Sequence, residues 1–315
     1  EEYEHVARPM IIRGAMDKWP AMHKWDLNML QNKYGDQRVK CGEDDDGNKV
    51  KVRLDHFCRY MRDQRDDSPL YVFDADFGDE GRETRPLLDD FSIPEYFSED
   101  LFQYVGEERR PPYRWLLLGP KRSGSSIHID PLYTSAWNAI ISGRKRWAIF
   151  PPGTPRSAVK PQRWLDREDH EAIDWFLYEL EDIKRALPAH QQPLELTQHP
   201  GEIIFVPGGW WHTVLNLEDT VAVTQNFCST ASFPAIWTDT RKGRTKMART
   251  WLRRLGDVRP DLCRIAQNLA GQNFGGVSAE QDLENILAER KRKKEERQER
   301  KRKREKEKSK KKKGM

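Results

Sequence analysis

A small set of residues at fixed spacing decides what chemistry this chain could carry. His128 and Asp130 stand two apart in the run 125–131, Ser-Ser-Ile-His-Ile-Asp-Pro. His212 closes the run 206–212, Val-Pro-Gly-Gly-Trp-Trp-His. Two imidazoles and one carboxylate form the 2-His-1-carboxylate set suited to Fe(II), and they leave coordination positions open for a chelating co-substrate and O2. His-x-Asp alone is a weak sign, because a structural histidine beside a surface aspartate has the same spelling. The distant His212 after a Pro-Gly-Gly turn argues against that plainer reading. So does Lys145, which follows His128 by 17 residues within an apolar, aromatic-rich stretch. A lysine in such surroundings wants an anionic partner, and a dicarboxylate co-substrate would be one.

The elements around these residues must bring them to one place. On a β-strand, residues i and i+2 share a face, so one strand can aim His128 and Asp130 at one metal. His212 has to come from another strand, and 201–217 reads as a hairpin: an apolar 202–206, a Pro-Gly-Gly turn, then 211–217. Strands are predicted at 113–118, 127–129, 136–141, 146–150, 194–196, 203–206, 213–217 and 221–227. Many short strands with Gly/Pro turns indicate a sandwich or barrel. The fold expected is mainly β with helices. Its core is a double-stranded β-helix of the jelly-roll or cupin type, with the triad at one mouth.

Flanking elements are legible from periodicity. Residues 10–12 read as a short strand, Asp26 as the cap of a helix through Tyr34 that Gly35 stops, and 49–53 as a strand. Leu54, Phe57, Tyr60 and Met61 recur at helical spacing, as core. Residues 76–112, rich in Asp, Glu, Gly and Pro, read as a loop or lid-like connection. An insertion after Pro152 holds a helix through Ile173, Phe176, Leu177 and Leu180. Beyond Ser232 the chain is helical. Met247, Trp251, Leu252 and Leu255 form one stripe; Leu262, Ile265, Ala266 and Leu269 form a second. Ser278 and Gln281 form a capping box before Leu283, Ile286 and Leu287. The stripes suit packing, with a homo-oligomer contact as the sharper reading. The division expected is 1–80 (α/β segment), 81–244 (catalytic β-helix), 245–289 (helices) and 290–315 (basic tail, disordered or an extended helix).

Charge is unevenly spread. The chain of 315 residues carries +4 overall. Residues 290–313 hold 17 Lys and Arg against 5 Glu, a net +12, which leaves −8 for the rest. An acidic body suits basic peptides. A basic tail suits RNA or a nuclear address, ordinary solvation being the plain alternative. Four scattered cysteines, Cys41, Cys58, Cys228 and Cys263, form no Cys-x-x-Cys pair and fit a reducing compartment. No apolar run approaches the roughly 18 residues of a membrane span, and no signal peptide is read.

Longer strings carry a resemblance. They are Ser-Gly-Ser-Ser-Ile-His-Ile-Asp-Pro-Leu (123–132), Thr-Ser-Ala-Trp-Asn-Ala (134–139), Gly-Arg-Lys-Arg-Trp (143–147), Gly-Glu-Ile-Ile-Phe-Val-Pro-Gly-Gly-Trp-Trp-His (201–212) and Thr-Gln-Asn-Phe (224–227). Further matches lie at 41–47, 66–74, 101–104 and 110–115, so the likeness covers about 24–255. The chain resembles the JmjC family of 2-oxoglutarate oxygenases, and within it the members that combine arginine demethylation with lysyl hydroxylation. The resemblance implies His128, Asp130 and His212 as Fe(II) ligands. It implies Lys145 as the partner of the distal carboxylate of 2-oxoglutarate, and Thr224, Asn138 and Tyr71 as further contacts of that co-substrate. Ser125 stands where a member of that bifunctional kind has threonine, with the hydroxyl kept. The basic C-terminus departs from that same member, which there carries a serine-rich acidic tract.

Function follows on the same footing. The resemblance implies an Fe(II)- and 2-oxoglutarate-dependent oxygenase using O2. Lysyl 5-hydroxylation of splicing-related proteins and histones comes first and arginine demethylation second, in the nucleus. Two rivals come from other classes. A catalytically idle RNA- or chromatin-binding scaffold would be favoured by a missing ligand, and all three are present. A receptor for apoptotic-cell engulfment needs a signal peptide and a spanning segment, and neither is read here.

Overall fold

Alternating side chains sort ten of the twelve strands into two sheets with different neighbours on each face, and 38–43 pairs with 49–53 as a separate two-stranded sheet. The computed structural model describes residues 4, 6–43, 48–168, 170–273 and 278–313; of the acidic run 41–47, residues 44–47 lie outside these, as do 314 and 315 of the tail. Two units are distinct, Glu1–Asp100 with Pro111–Ser232, and Leu101–Arg110 with Phe233–Met315.

The first unit is a jelly-roll. The strands in chain order are β1 (Met10–Arg13), β2 (Arg38–Glu43), β3 (Lys49–Arg53), β4 (Val72–Asp74), β5 (Arg114–Gly119), β6 (Gly124–His128), β7 (Ser135–Ser142) and β8 (Lys145–Phe150). They continue with β9 (Leu194–Gln198), β10 (Glu202–Val206), β11 (Trp211–Asn216) and β12 (Thr220–Phe227). A six-stranded sheet runs β1-β10-β7-β12-β5-β4 and a four-stranded sheet runs β6-β11-β8-β9, all pairings antiparallel. Residues 1–80 therefore supply both edge strands of the larger sheet.

Period-two burial explains the layers. Leu116, Leu118, Trp137, Ala139, Ile203, Phe205, Val221 and Val223 point outward from the six-stranded sheet into a core shared with Trp19, Trp25, Leu30 and Phe57. That core includes the amphipathic helix Leu54–Asp63 and the helix Leu27–Tyr34, whose cap Asp26 accepts from the Met29 amide at 2.7 Å. The intervening residues Leu117, Ile140 and Ala222 face the interior of the roll. On the other sheet Trp147, Ile149 and Val214 face inward against Ile204, Val206 and Trp210. Ile127, Ala148, Phe150 and Leu215 face outward under the 156–187 insertion. Buried Gln198 ties the sheets together. It accepts from Trp147 Nε1 at 3.0 Å and donates to the carbonyls of Asn138 and Glu202 at 2.9 and 3.0 Å.

Several expectations need correction. Residues 201–217 do not form a hairpin. β10 pairs with β1 and β7, whereas β11 pairs with β6 and β8, so Pro207-Gly208-Gly209 carries the chain from one sheet to the other. The physical reason is that Ile204 and Val206 pack face to face with Val214 across the roll. Residues 76–112 are not a loose lid: Phe77, Leu87, Phe91 and Phe97 are buried in the main core, and three short 3-10 turns order the segment. The insertion carries two single-turn helices, Arg156–Val159 and Gln162–Leu165, and two longer ones, Ala172–Tyr178 and Leu180–Ala186. Trp175 rather than Leu177 is buried there, and Leu177 is exposed.

The second unit is helical: Phe233–Gly243, Thr245–Val258, Pro260–Asn273 and Ala279–Lys313. Met247, Trp251, Leu252, Leu255, Leu262 and Ala266 are buried. Ser278 Oγ accepts from the Gln281 amide at 3.1 Å, so the N-cap forms, but the Gln281 side chain turns to Asn285 rather than back to Ser278. A buried ion pair, Arg241 with Asp282 at 2.7 Å, pins the first of these helices to the last. The basic tail continues that last helix through Lys313.

Candidate metal centre

His128 and His212 are direct cross-strand partners of β6 and β11, and their ring centroids lie 4.2 Å apart. β6 ends at His128, so Asp130 is not on the same strand as expected. It sits in extended backbone before a tight turn at Pro131–Tyr133. His128 Nε2 is 3.6 Å and His212 Nε2 3.9 Å from Asp130 Oδ1. One ligand atom from each of the three falls within 4.8 Å of the others.

The donor set fits a metal ion such as iron. His128 Nδ1 lies 2.7 Å from the Ser126 carbonyl and His212 Nδ1 3.0 Å from the Trp210 carbonyl. Each carbonyl holds a proton on Nδ1 and leaves the Nε2 lone pair for a metal, the usual support of a ligating histidine. Charge suits it as well. Burial pushes His212 down, with His128 adding to the effect, to about 4. Burial works to raise Asp130, but His212 and His128 outweigh it and hold the carboxyl below its usual range. For His128 burial pulls down, and the hydrogen bond and charge of Asp130 win and raise it.

The turn after Asp130 is clamped. Leu132 and Tyr133 both have positive φ, 60° and 57°, a conformation that costs of order 1–3 kcal/mol per non-glycine residue. A Cβ on Gly208 would run into the Tyr133 carbonyl, and Gly209 has φ +83° with the Tyr133 ring against it. The two glycines of the crossing before His212 thus let that segment lie on the turn after Asp130.

A cavity extends inward from the triad. Tyr71, Ser125, Asn138 and Thr224 line it together with His128, Asp130 and His212. Thr224 and Asn138 face each other across β12 and β7. Thr224 Oγ1 donates to the Trp137 carbonyl at 2.8 Å, which turns its lone pairs toward the cavity. Asn138 Oδ1 is buried with no hydrogen-bond partner among the described residues. Ser125 reaches the same interior as His128, three residues on, because β6 carries a bulge where it pairs with β11 between His212 and Val214.

Lys145 stands behind this lining, fully buried. Its ammonium donates to Asn216 Oδ1 at 2.7 Å and to the Tyr71 hydroxyl at 3.0 Å. Burial pushes Lys145 down to about 7 and pushes the Tyr71 phenol far up, so Tyr71 keeps its proton. Sequence reasoning missed Asn216 and Asn226. Asn216 also donates to Ser123 Oγ at 2.8 Å, which fixes its carbonyl toward Lys145. Asn226 lines the cavity beside Asp130 and donates to Thr134 Oγ1 at 2.8 Å. A lone asparagine in a strand carries no signature; only its register with Lys145 and Asp130 marks it.

The cupin-like domain family matches residues 1–233. The bifunctional arginine demethylase and lysyl-hydroxylase psr-1 of Caenorhabditis elegans is 44% identical over 269 residues, covering 85% of this chain and 67% of that protein. The lysine-specific demethylase JMJ21 of Arabidopsis thaliana is 42% identical over 248 residues, 77% of this chain and 25% of that protein. The 2-oxoglutarate and iron-dependent oxygenase JMJD4 of Mus musculus is 30% identical over 251 residues, 73% of this chain and 57% of that protein. With a jelly-roll that seats two histidines and an aspartate at one mouth, the chain belongs to the cupin-like, JmjC-type family of 2-oxoglutarate and iron-dependent oxygenases.

Proposed function

We propose that this protein is an Fe(II)- and 2-oxoglutarate-dependent oxygenase that hydroxylates lysyl side chains of basic nuclear proteins, with arginine demethylation as its second activity. The observation that carries the reading is a fully buried lysine behind a polar cavity whose other end is a 2-His-1-carboxylate set. Iron and 2-oxoglutarate, when bound, supply the oxygen-activating chemistry.

The chain's own residues do the rest. His128, Asp130 and His212 would hold the metal. Lys145 would pair with the distal carboxylate of the co-substrate as a charge-assisted hydrogen bond. Tyr71, with its proton retained, would donate to the same group, and Thr224, Asn138 and Ser125 would orient the remainder. Apolar Leu117, Val206 and Val214 in the cavity wall exclude water from the reacting atoms. One oxidant serves both reactions. Oxidation at a lysyl side-chain carbon not bonded to nitrogen leaves a stable alcohol, whereas oxidation of an N-methyl carbon gives a hemiaminal that loses formaldehyde.

The net −8 outside residues 290–313 supports lysine- and arginine-rich substrates such as splicing factors and histones. We assign catalysis to the jelly-roll unit, Glu1–Asp100 with Pro111–Ser232, rather than to 81–244 alone, and the helices 245–289 and the tail 290–315 to partners: RNA, nuclear import and a second copy of the chain. Among the described residues no helix is long and apolar enough to cross a membrane. Removal of the residues beyond Ala288 should spare oxidation of short peptides while reducing RNA binding or nuclear accumulation.

Mass analysis of lysine and methyl-arginine peptides, incubated with Fe(II), 2-oxoglutarate and O2, tests the reading. A gain of about 16 Da marks hydroxylation and a loss of about 14 Da marks demethylation. Co-substrate turnover with neither shift on any basic peptide would refute the substrate class.

A further inference from the structure

Within the helical unit, six cations converge on one cleft of about 800 Å3. Three chain segments contribute: Arg109, then Arg244 and Lys246 at the start of helix Thr245–Val258, then Arg290, Lys291 and Lys294 of helix Ala279–Lys313. Met247 and Leu287 form its apolar floor. We propose that this cleft binds a compact polyphosphate, a small molecule or headgroup bearing several phosphate groups close together.

The arrangement differs from a solvated charged face. On such a face Glu and Lys interleave and pair, and the same helix does this elsewhere, through Glu289 with Lys293 and Arg292 with Glu296. Leu287, Arg290, Lys291 and Lys294 instead follow helical spacing of one face, and no carboxylate lines the cleft. Among the described residues none of the six cations is ion-paired with a carboxylate. Two are held in position through neutral groups. Arg109 Nη1 donates to Thr250 Oγ1 at 2.9 Å, and Arg290 Nη2 donates to the Lys242 carbonyl. Like charges gathered over an apolar floor repel one another, and an anion of matching charge density relieves that repulsion.

The shape selects among polyanions. The volume lies in the range of small-ligand sites, about 300–1,000 Å3. No aromatic residue lines the cleft, so single-stranded nucleic acid finds no surface for base stacking. Phosphates grouped on a small core satisfy six converging cations better than phosphates strung along a backbone.

Titration calorimetry of the full chain with inositol hexakisphosphate tests the proposal. We expect one site per chain, weakening with added salt. The combined variant Lys246→Gln, Lys291→Gln, Lys294→Gln should weaken it by about tenfold or more. These side chains make no hydrogen bond or ion pair among the described residues, so circular dichroism should be unchanged. Neutralising Lys310, Lys311 and Lys312 instead should leave binding as it was. Co-sedimentation with phosphatidylcholine vesicles containing phosphatidylinositol bisphosphate separates the sources: pull-down lost in the Lys246 variant assigns a lipid headgroup, and soluble binding alone assigns a free ligand. Absence of hexakisphosphate binding, or binding indifferent to the Lys246 variant, overturns the proposal. So does a uridine oligonucleotide that binds more tightly and displaces the hexakisphosphate, which would make the cleft a nucleic-acid site.

Discussion

Lys145 and Asn216 face each other across β8 and β11, and the lysine ammonium donates to the asparagine carbonyl at 2.7 Å. Among the described residues no carboxylate pairs with that ammonium. When protonated, the ammonium is thus held away from water by two neutral acceptors, Asn216 and Tyr71.

Binding of the co-substrate should therefore depend on pH through Lys145. Its folded-state value is pushed to about 7 by burial, and a dicarboxylate binds the charged form. Between pH 7 and 9 binding must take up a proton, so the apparent constant for 2-oxoglutarate should weaken, by up to about tenfold per pH unit. Lys145→Arg, which stays charged, should flatten the profile, and Lys145→Ala should weaken binding at least about tenfold at pH 7. An unchanged constant in Lys145→Ala would hand the role to another cation, with Arg146 the first to test.

Without metal and co-substrate, the same lysine should destabilise the fold. The ordinary value is 10.5, so stability should rise with pH between about 7 and 10.5, and the penalty is complete below that window. At neutral pH it is on the order of 4 kcal/mol. Lys145→Met should then stabilise the ligand-free protein by about 1–3 kcal/mol, after the loss of two hydrogen bonds. Urea unfolding at pH 7 measures this. A less stable Lys145→Met protein would show that Asn216 and Tyr71 compensate the charge in full.

Loss of one metal ligand should abolish turnover and leave the fold. His128→Ala and Asp130→Ala remove side chains at the mouth of the roll, outside the apolar clusters. Metal content should fall and succinate release should cease, with far-ultraviolet dichroism retained. Normal succinate release from well-folded Asp130→Ala protein would sink the metal assignment.

Gly208→Ala should act on the metal from outside the ligand set. The added methyl meets the Tyr133 carbonyl, so the His212 segment and the turn after Asp130 must separate. We expect a destabilisation of about 1–3 kcal/mol and weaker metal retention on dialysis against a chelator. Wild-type retention would mean that the clamp serves packing alone.

The sequence carried the site further than it carried the fold's connections. His128, Asp130 and His212 were legible because ligand chemistry restricts residue types, and Lys145 because an ion in an apolar strand is costly. The bulge that turns Ser125 and His128 to one interior depends on the register with β11, which no local pattern encodes. The supposed hairpin at 201–217 failed for a similar reason: two strands joined by a Pro-Gly-Gly turn look alike whether they pair together or part into opposing sheets. The segment 76–112 read as loose because its composition is polar, yet Phe77, Leu87, Phe91 and Phe97 anchor it.

The pairing of β1 with β10 sets a timetable. Arg13 meets Glu202 at 2.7 Å across 189 residues of chain. At roughly 5–20 residues per second, a ribosome needs about 10–40 s to deliver β10 after β1 has emerged. During that interval Met10, Ile11 and Ile12 have no strand to pair with, and the roll around His128 and His212 cannot close. Closure of the roll is thus a late event in synthesis, in which the last strands made complete a sheet begun by the first.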